Sequence, residues 1–374
     1  MDISAPIIIS LSAFASAFIV FVCAIAYTLI RRRAHKARTL AQPRRAAHNP
    51  VLSPLPHEEW EAQASFNPTA ILDDDGFVHL FYRAVGSDGI SRIGYAMSKD
   101  GKHFHNRSPY PVYQPLPGYG LPEISLTNGP HRYDIVAHPS GGGWGGAEDP
   151  RATRIGDRVY MTYTAFESWD NMRIGLTSIS LDDLKKRRWK WKRPTIISPA
   201  NTRAKNWMLF PEKINGKYAL LHSVAPKVLV AYLDNVDAVP TIHSSPDHGG
   251  YGIHMKDREK YWDKTMKGAG AAPIKTNLGW LVLYHAIDEN KYKVGAMLLD
   301  LHDPTKILYR SPSPILSPDM HYENDGKPGV VYATGAVVKD GNLFIYYGGG
   351  DKHVCVAEMP LKDLIDWLTE YGKI

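Results

Sequence analysis

Five stretches of the chain share one pattern of apolar and polar positions. They read GFVHLFYRA from Gly76, DRVYMTYTA from Asp157, GKYALLHSV from Gly216, GWLVLYHAI from Gly279 and GNLFIYYGG from Gly341. Each stretch opens at a turn-forming residue and continues with β-branched and aromatic residues, a pattern typical of a half-buried strand. Successive stretches begin 81, 59, 63 and 62 residues apart. This regular spacing indicates an internal structural repeat.

Each repeated strand is flanked by two further strand-like phrases. The phrases before it are FNPTAIL, EDPRATRI, FPEKI, APIKT and TGAVVKD, and those after it are RIGYAMSKD, RIGLTSISLDD, VLVAYLDNV, KVGAMLLDL and HVCVAEMPL. Helical periodicity is scarce, so the predicted fold class is all-β, with five repeats of three or more antiparallel strands. This pattern predicts a five-bladed β-propeller, whose blades each aim their first strand at a central channel. A β-sandwich is the alternative, but it would not explain one motif at the start of every repeat.

The N-terminal segment differs in character from the repeats. Residues 5–30 contain no charged side chain, and such a run is long enough to cross a hydrocarbon core of about 30 Å. It predicts a single transmembrane helix; a cleaved signal peptide is the alternative, but the apolar run is too long and lacks a basic start. Basic residues follow directly, so the positive-inside rule places the catalytic domain of this single-pass membrane protein in the cytoplasm.

The positive charge of the chain is confined to this N-terminal region. Residues 1–50 hold seven Lys or Arg and one acidic residue, whereas the remaining residues carry equal numbers of basic and acidic side chains. The basic segment suits anionic lipid headgroups, and nothing in the repeats favours nucleic-acid binding. The predicted organisation is a membrane anchor over residues 1–30, a basic juxtamembrane linker over 31–53, and a catalytic propeller over 54–374.

Two adjacent carboxylates, Glu148 and Asp149, stand in the phrase AEDPR just before the second repeated strand. Taken alone, such a pair is more often a solvated surface turn than a catalytic site. In the predicted propeller, however, the opening strands bring Asn67, Asp149 and Glu212 to one funnel, and Asp351 reaches it from the next strand of the last repeat. Polar groups that converge in a concave site indicate ligand binding.

A glycine-rich segment, His131 to Gly146, lengthens the spacing between the first two repeats. Its composition predicts a mobile loop beside Asp149. The segment is either a plain connection or a loop that gates access of a substrate.

The repeats also resemble a known family. From about Pro54 to Ala357 the chain is similar to glycoside hydrolase family 130, the β-mannoside phosphorylases and their relatives. The matching phrases are FNPTAI, YRAVGSDGISRIGYA, AEDPRATRI, YMTYTAFE, RIGL, LFPEKINGKYALLH, GAGAAPIKT, GWLVLYHAID, VGAMLLDLHDP, RSPSPIL and IYYGGGD. The resemblance implies a five-bladed propeller with an axial active site, in agreement with the repeats.

The resemblance implies that Asp149 is the catalytic acid, which protonates the glycosidic oxygen through a hydroxyl of the bound mannose. A glycosidase normally needs two carboxylates, but phosphate arrives as an anion and needs no base to activate it. The phosphate-binding candidates are Arg151, Arg173, Lys205, Arg92 and His285. The candidates for sugar binding are Asn67, Glu212 and Asp351. Arginine suits phosphate because its planar guanidinium donates two parallel hydrogen bonds.

The sequence departs from the family at Ser223, where members often have Arg, at Tyr332 to Ala336, where they have FPCGA, and at GGGD, where they have GAAD. These changes bear on the acceptor side of the site.

The predicted function is therefore inverting phosphorolysis of β-mannosides, or the reverse synthesis, with α-mannose 1-phosphate as the product. This is a phosphorylase of the glycosyltransferase type, with inorganic phosphate as co-substrate and no cofactor or metal. A β-mannosyltransferase that uses a sugar nucleotide such as GDP-mannose is the alternative. A β-mannoside hydrolase and a non-catalytic sugar-binding propeller follow. The sequence leaves open β-1,2 against β-1,4 linkage, the acceptor and the oligomeric state.

Overall fold

A computed structural model of the protein describes residues 18–28, 42–121, 131–243 and 252–373. The chain divides into two parts, Met1–Gln42 and Pro43–Ile374. In the first part, residues 18–28 form helix α1. The second part contains the strands together with two helices, α2 (Leu181–Lys185) and α3 (Leu361–Tyr371).

The strands of the second part are short to medium in length. In chain order they are β1 (Arg44–Arg45), β2 (Ala64–Leu72), β3 (Val78–Val85), β4 (Ile90–Ser98), β5 (Gly145–Ile155), β6 (Arg158–Ser168), β7 (Asn171–Ser180), β8 (Thr195–Ile196), β9 (Met208–Leu209), β10 (Tyr218–Ser223), β11 (Leu229–Leu233), β12 (Ile253–His254), β13 (Thr265–Ala269), β14 (Ile274–Lys275), β15 (Trp280–Asp288), β16 (Lys291–Leu299), β17 (Ile307–Arg310), β18 (Val331–Lys339), β19 (Asn342–Gly349) and β20 (His353–Pro360). Short 3₁₀ turns lie at Glu59–Glu61, Lys256–Arg258 and His321–Glu323.

The described strands form four sheets. The first joins β2 to β8 in chain order, the second has the order β11-β10-β9, the third has the order β12-β13-β15-β16-β17 with β14 on β15, and the fourth has the order β1-β20-β19-β18. The five repeated phrases form β3, β6, β10, β15 and β19, and each pairs antiparallel with its neighbours. The expectation of a mostly β chain with five strand repeats is therefore confirmed.

The predicted five-bladed β-propeller behind a transmembrane helix is wrong in that form. The sheets contain seven, three, six and four strands rather than forming five equal blades. The first two repeats merge because β4 pairs in parallel with β5, through Ile90 with Gly145 and Ser91 with Gly146. The fold class is corrected to a mostly β domain of four sheets with few helices.

The predicted transmembrane helix is also corrected. Helix α1 covers eleven described residues, which at 1.5 Å per residue span only about 16 Å. Among the described residues, no helix is both long enough and apolar enough to cross a membrane. The predicted single-pass location with a cytoplasmic catalytic domain rested on this helix and is wrong with it. The rest of the predicted span, residues 5–17 and 29–30, lies outside the described residues.

Three of the repeats share a close contact between a tyrosine and a glycine on neighbouring strands. Tyr82 lies opposite Gly94, and Tyr163 lies opposite Gly175. A Cβ atom on either glycine would lie 2.2 or 2.3 Å from the tyrosine ring. Tyr284 and Gly295 repeat the arrangement on β15 and β16. The glycine of the phrases RIG and KVG therefore makes room for an aromatic ring in the core.

Apolar residues at helical spacing in the C-terminal segment form the amphipathic helix α3. It buries Leu364, Trp367 and Leu368, which recur at helical spacing. Its start follows Pro360, which stands at the N-cap and has no amide hydrogen to leave unpaired.

The opening strands of the repeats are interrupted by bulges. The register shifts between Phe66 and Thr69 in β2, and between Glu148 and Arg151 in β5. The residues at these shifts are Asn67 and Asp149, with positive φ of 46° and 49°. Asn and Asp tolerate left-handed backbone better than most residues, and the proline after each cannot donate to the ladder. The sequence thus favours a bulge at each NP or DP step.

Candidate active site

A cavity of about 520 Å³ lies beside these bulges, in the second part of the chain. Residues from the first, second, third and fifth repeats, and from β13 and β16, line it. Its polar and aromatic lining comprises Phe66, Asn67, Arg83, Ser140, Asp149, Trp169, Arg203, Lys205, Asn206, Lys267, Tyr292, Lys327, Tyr332 and Asp351. The cavity therefore combines two carboxylates with several cations and aromatic rings, a set suited to an anion and a sugar.

Asp149 occupies the bulge of β5 and is 7% exposed. A bulge re-aims a side chain, so Asp149 faces the cavity although its neighbour Glu148 does not line it. Asn67, in the matching bulge of β2, donates a hydrogen bond from Nδ2 to Asp149 Oδ1 over 2.8 Å. The two adjacent repeats are thus joined at the carboxylate.

The charge state of Asp149 is set by its cationic neighbours. Burial alone would raise the pKa of this carboxyl. The positive charges of Arg83, Lys205 and Arg151, with the hydrogen bond from Asn67, outweigh burial and lower the pKa below its ordinary value. Arg83 Nη1 lies 3.5 Å from Asp149 Oδ1. Asp149 is therefore ionised at neutral pH before any anion binds.

Glu148 is fully buried and bonded to three side chains. Its Oε1 accepts from Arg83 Nη2 over 2.7 Å. Its Oε2 accepts from Ser140 Oγ over 2.8 Å and from Lys205 Nζ over 3.2 Å. Both carboxylate oxygens are engaged, so Glu148 anchors two cavity cations rather than meeting a ligand.

The glycine-rich loop lies against the same cations. The Ser140 carbonyl accepts from Arg83 Nη2 over 2.6 Å, and the Pro139 carbonyl accepts from Lys327 Nζ over 3.1 Å. Residues 139–141 line the cavity. The loop therefore lies beside Asp149 as predicted, while the gating role stays a prediction.

Four of the predicted site residues line the cavity: Asn67, Asp149, Lys205 and Asp351. Asp351 has a positive φ of 51° and lies at the turn between β19 and β20. Its Oδ2 is 3.6 Å from Lys327 Nζ. Asn67 and Asp149 belong to the first sheet, Lys205 lies in the segment between β8 and β9, and Asp351 lies at a turn of the fourth sheet. The sequence could bring these positions together only through the repeat.

Arg151 and His285 lie beneath the cavity rather than in its wall. Arg151 donates from Nη1 to the Asp149 carbonyl over 2.8 Å and from Nη2 to Asn206 Oδ1 over 2.9 Å. His285 stacks on Tyr332 with ring centres 3.9 Å apart, and burial lowers its pKa to about 3. A neutral buried histidine supplies no positive charge to a phosphate, and neither Arg151 nor His285 lines the cavity.

The remaining predicted residues pair with partners outside the cavity lining. Arg173 donates to Glu167 over 3.0 Å and to the Gly118 carbonyl. Arg92 pairs with Asp88 over 2.6 Å. Glu212 pairs with Lys275 in a solvent-exposed contact.

Sequence reasoning did not single out several cations of the cavity. Arg83 is on the repeated strand itself, in the phrase YRA, and Lys267 precedes Gly268 at the bulge of β13. Arg203 pairs with the exposed Asp170 over 2.7 Å. The phrase APIKT, predicted to open the fourth repeat, begins at Ala272, five residues after Lys267, because the opening strand TMKGA shows little alternation.

Two buried carboxylates among cations, with aromatic side chains in the same cavity, are typical of a carbohydrate-active enzyme that handles an anion. Comparisons with known proteins agree. A model of the glycoside hydrolase 130 family, described as beta-1,4-mannooligosaccharide phosphorylase, matches residues 131–370. The chain belongs to this family, and the resemblance noted from the sequence is confirmed.

Relatives of established activity share most of the chain. A 1,2-beta-oligomannan phosphorylase of Thermoanaerobacter sp. is 37% identical over 333 residues, covering 86% of this chain and 98% of the relative. A beta-1,4-mannooligosaccharide phosphorylase of Ruminococcus albus is 30% identical over 240 residues, covering 62% and 68%. The structure of beta-1,2-mannobiose phosphorylase from Listeria innocua, in complex with beta-1,2-mannobiose, superposes with a TM-score of 0.66 at 26% identity, covering 87% of this chain and 99% of that one.

Proposed function

We propose that the protein cleaves a terminal β-mannoside with inorganic phosphate. The relatives named above are phosphorylases of β-mannosides, so they agree with the predicted reaction class. The reaction transfers a mannosyl group to phosphate, which makes the enzyme a phosphorylase of the glycosyltransferase type. Its products are α-mannose 1-phosphate and a shortened acceptor.

The observation that carries the proposal is that the two adjacent carboxylates, Glu148 and Asp149, have different surroundings. Asp149 lines the cavity, whereas both oxygens of Glu148 are bonded to protein donors. A hydrolase needs a second carboxylate that activates water, and Glu148 has no free oxygen for that task. Asp351, the other carboxylate of the lining, has a lysine for a neighbour. This arrangement favours an anionic nucleophile over water.

The phosphate would bind beside Asp149, where Arg83 and Lys205 direct their positive charges. Arg83 Nη1 faces Asp149, while Nε and Nη2 of the same guanidinium are bonded to Ser91, Ser140 and Glu148. Lys205 adds a compact charge. Arg203 and Lys267 also line the cavity and are further candidates. Asn67 and Asp351 remain the candidates for contact with sugar hydroxyls, as the sequence predicts.

The step proposed here is an inverting displacement. A phosphate oxygen forms a bond to the anomeric carbon on the face opposite the leaving group, and the bond from that carbon to the glycosidic oxygen breaks. The proton of Asp149 passes to the leaving oxygen by way of a mannose hydroxyl, as the family resemblance implies. The same steps in reverse extend a mannoside from α-mannose 1-phosphate.

The linkage that we propose is β-1,2. The relatives that act on β-1,2-mannosides include the one at 37% identity and the structure that superposes over most of the chain. The β-1,4-specific relative covers less of the chain.

The test uses the full chain with β-1,2- and β-1,4-mannobiose, with and without inorganic phosphate, and measures α-mannose 1-phosphate. We expect phosphate-dependent product from the β-1,2 substrate. In parallel, Asp149→Asn should fold normally and lower turnover by about two to four orders of magnitude, as loss of a general acid does. Free mannose released without phosphate would contradict phosphorolysis, and full activity of Asp149→Asn would remove the assigned acid.

A further inference from the structure

Glu148 contacts two cavity cations without lining the cavity itself. Its bonding partners come from three separate segments: Arg83 from β3, Ser140 from the glycine-rich loop, and Lys205 from the segment before β9. The carboxylate is fully buried, so its hydrogen bonds are shielded from water and its geometry is closely fixed.

Arginine and lysine side chains have many rotamers, and ordering them costs conformational entropy. A site that binds an anion tightly therefore gains from cations that are already held in place. Phe166 and Trp169 lie within cation–π range of Lys205, but a carboxylate bonded to Lys205 directs its ammonium group more narrowly. Arg83 is held in the same way, from the same carboxylate.

We propose that Glu148 is a positioning residue for phosphate, which holds Arg83 and Lys205 at the spacing that the anion requires and ties the loop to them through Ser140. This inference rests on the proposed function, because it takes phosphate as the anion. Glu148 touches no substrate, and it acts only through the side chains bonded to it. The AEDPR phrase thus contains a positioning acid and a catalytic acid side by side.

The charge of Glu148 also affects Asp149. The charged groups nearest Asp149 are Arg83 on β3, Lys205 before β9, and Arg151 and Glu148 on β5. Further charged groups line the cavity: Arg203, Lys267, Lys327 and Asp351. Removal of the negative charge of Glu148 leaves more net positive charge around Asp149. The pKa of Asp149 therefore falls. Because Asp149 must be protonated for catalysis, the loss of activity with rising pH then begins at a lower pH.

Two substitutions separate the effect of the charge of Glu148 from the effect of its side-chain length. Glu148→Gln removes the charge, and we expect the KM for phosphate to rise at least roughly tenfold, because the amide NH₂ opposes the Lys205 ammonium group. The KM for mannobiose should stay within about twofold, while the alkaline limb of the kcat profile moves to lower pH. Glu148→Asp keeps the charge but shortens the side chain. It should raise the KM for phosphate and leave the alkaline limb in place.

The matched control is Glu61→Gln, the same chemical change at a buried acid outside the cavity lining. Glu61 accepts from Tyr82 and Arg107 rather than from a cavity cation. Its variant should lose stability but keep the KM for phosphate and the pH profile. If Glu61→Gln raises the KM for phosphate as Glu148→Gln does, the effect is a general loss of stability and the inference fails.

A second measurement does not depend on turnover. Inorganic phosphate should raise the Tm of the full-length wild-type protein, and the rise should shrink in Glu148→Gln and persist in Glu61→Gln. If the wild type shows this rise but makes no sugar phosphate, the proposed function fails while the positioning role is still measured. A full rise in Glu148→Gln, or none in the wild type, overturns the inference.

Discussion

Asp149 is surrounded by more positive than negative charge, and this has a consequence for the proton that it donates. In the protein without phosphate, Arg83, Lys205 and Arg151 hold the pKa of Asp149 below its ordinary value, so the acid is ionised near neutral pH. A bound phosphate dianion offsets these charges and adds a like charge beside the carboxylate, and both effects raise the pKa. Phosphate binding should therefore bring a proton to Asp149.

This prediction concerns the number of protons taken up when phosphate binds in the absence of sugar. Phosphate itself titrates near neutral pH, so the informative quantity is the difference between the wild type and Asp149→Asn. We expect the wild type to take up as much as about one proton more than the variant. Binding enthalpies measured in buffers of different ionisation enthalpy give this number. Equal proton uptake in the two proteins would show that Asp149 does not titrate with phosphate.

At the scale of the strand, the tyrosine and glycine pairs limit which residues can replace the glycine of the repeat. Alanine is usually better than glycine inside a strand, because glycine loses more conformational entropy on folding. At Gly175 we expect the opposite, a protein less stable with alanine than with glycine, since an added Cβ would lie 2.3 Å from the ring of the buried Tyr163. Gly175→Ala should lower the free energy of unfolding by about 1–3 kcal/mol, the usual range for overpacking.

A double-mutant cycle supplies the control for Gly175→Ala. In a Tyr163→Ala background the ring is gone, and the same substitution should cost little. Denaturant unfolding of the four proteins measures the coupling. If Gly175→Ala costs the same in both backgrounds, the glycine is required by the backbone and not by the ring.

At the scale of the whole second part of the chain, residues 44–52 complete the last sheet. Arg44 and Arg45 pair with β20, and Arg45 Nε donates to the fully buried Glu323 over 2.6 Å. Asn49 exchanges two side-chain hydrogen bonds with the backbone of Val356. This short segment lies in the stretch that the sequence assigns to a linker.

Two truncated chains test this role. A chain that begins at residue 43 should match the full chain in stability, whereas one that begins at residue 54 leaves Glu323 without its arginine. Loss of one partner of a buried ion pair typically costs about 3–5 kcal/mol. Thermal unfolding compares the two. Equal Tm values would mean that the segment contributes nothing to the sheet.

The extent to which the sequence predicted the structure differs between strands and side chains. Strand alternation and spacing identified all five repeated strands, and the carboxylate in AEDPR pointed to the cavity. Spacing does not tell which face of a strand a cation takes, so Arg92 and Arg173 were expected at phosphate but pair with nearby acids. The sheet boundaries also escaped prediction, because the β4–β5 pairing depends on a contact across more than fifty residues.

Left-handed backbone at the cavity restricts which residue types can occupy its wall. The non-glycine positions with positive φ that line it are Asn67, Asp149, Asn206 and Asp351, and Gly141 and Gly252 share this backbone conformation. Such positions favour amides, carboxylates and glycine and disfavour long basic side chains. The acids and amides of the site are thus dictated by the backbone, and the cations have to come from ordinary positions nearby, as Lys205 does directly before Asn206. Changes in anion preference can therefore evolve at the cation positions without disturbing the turns that carry the acid.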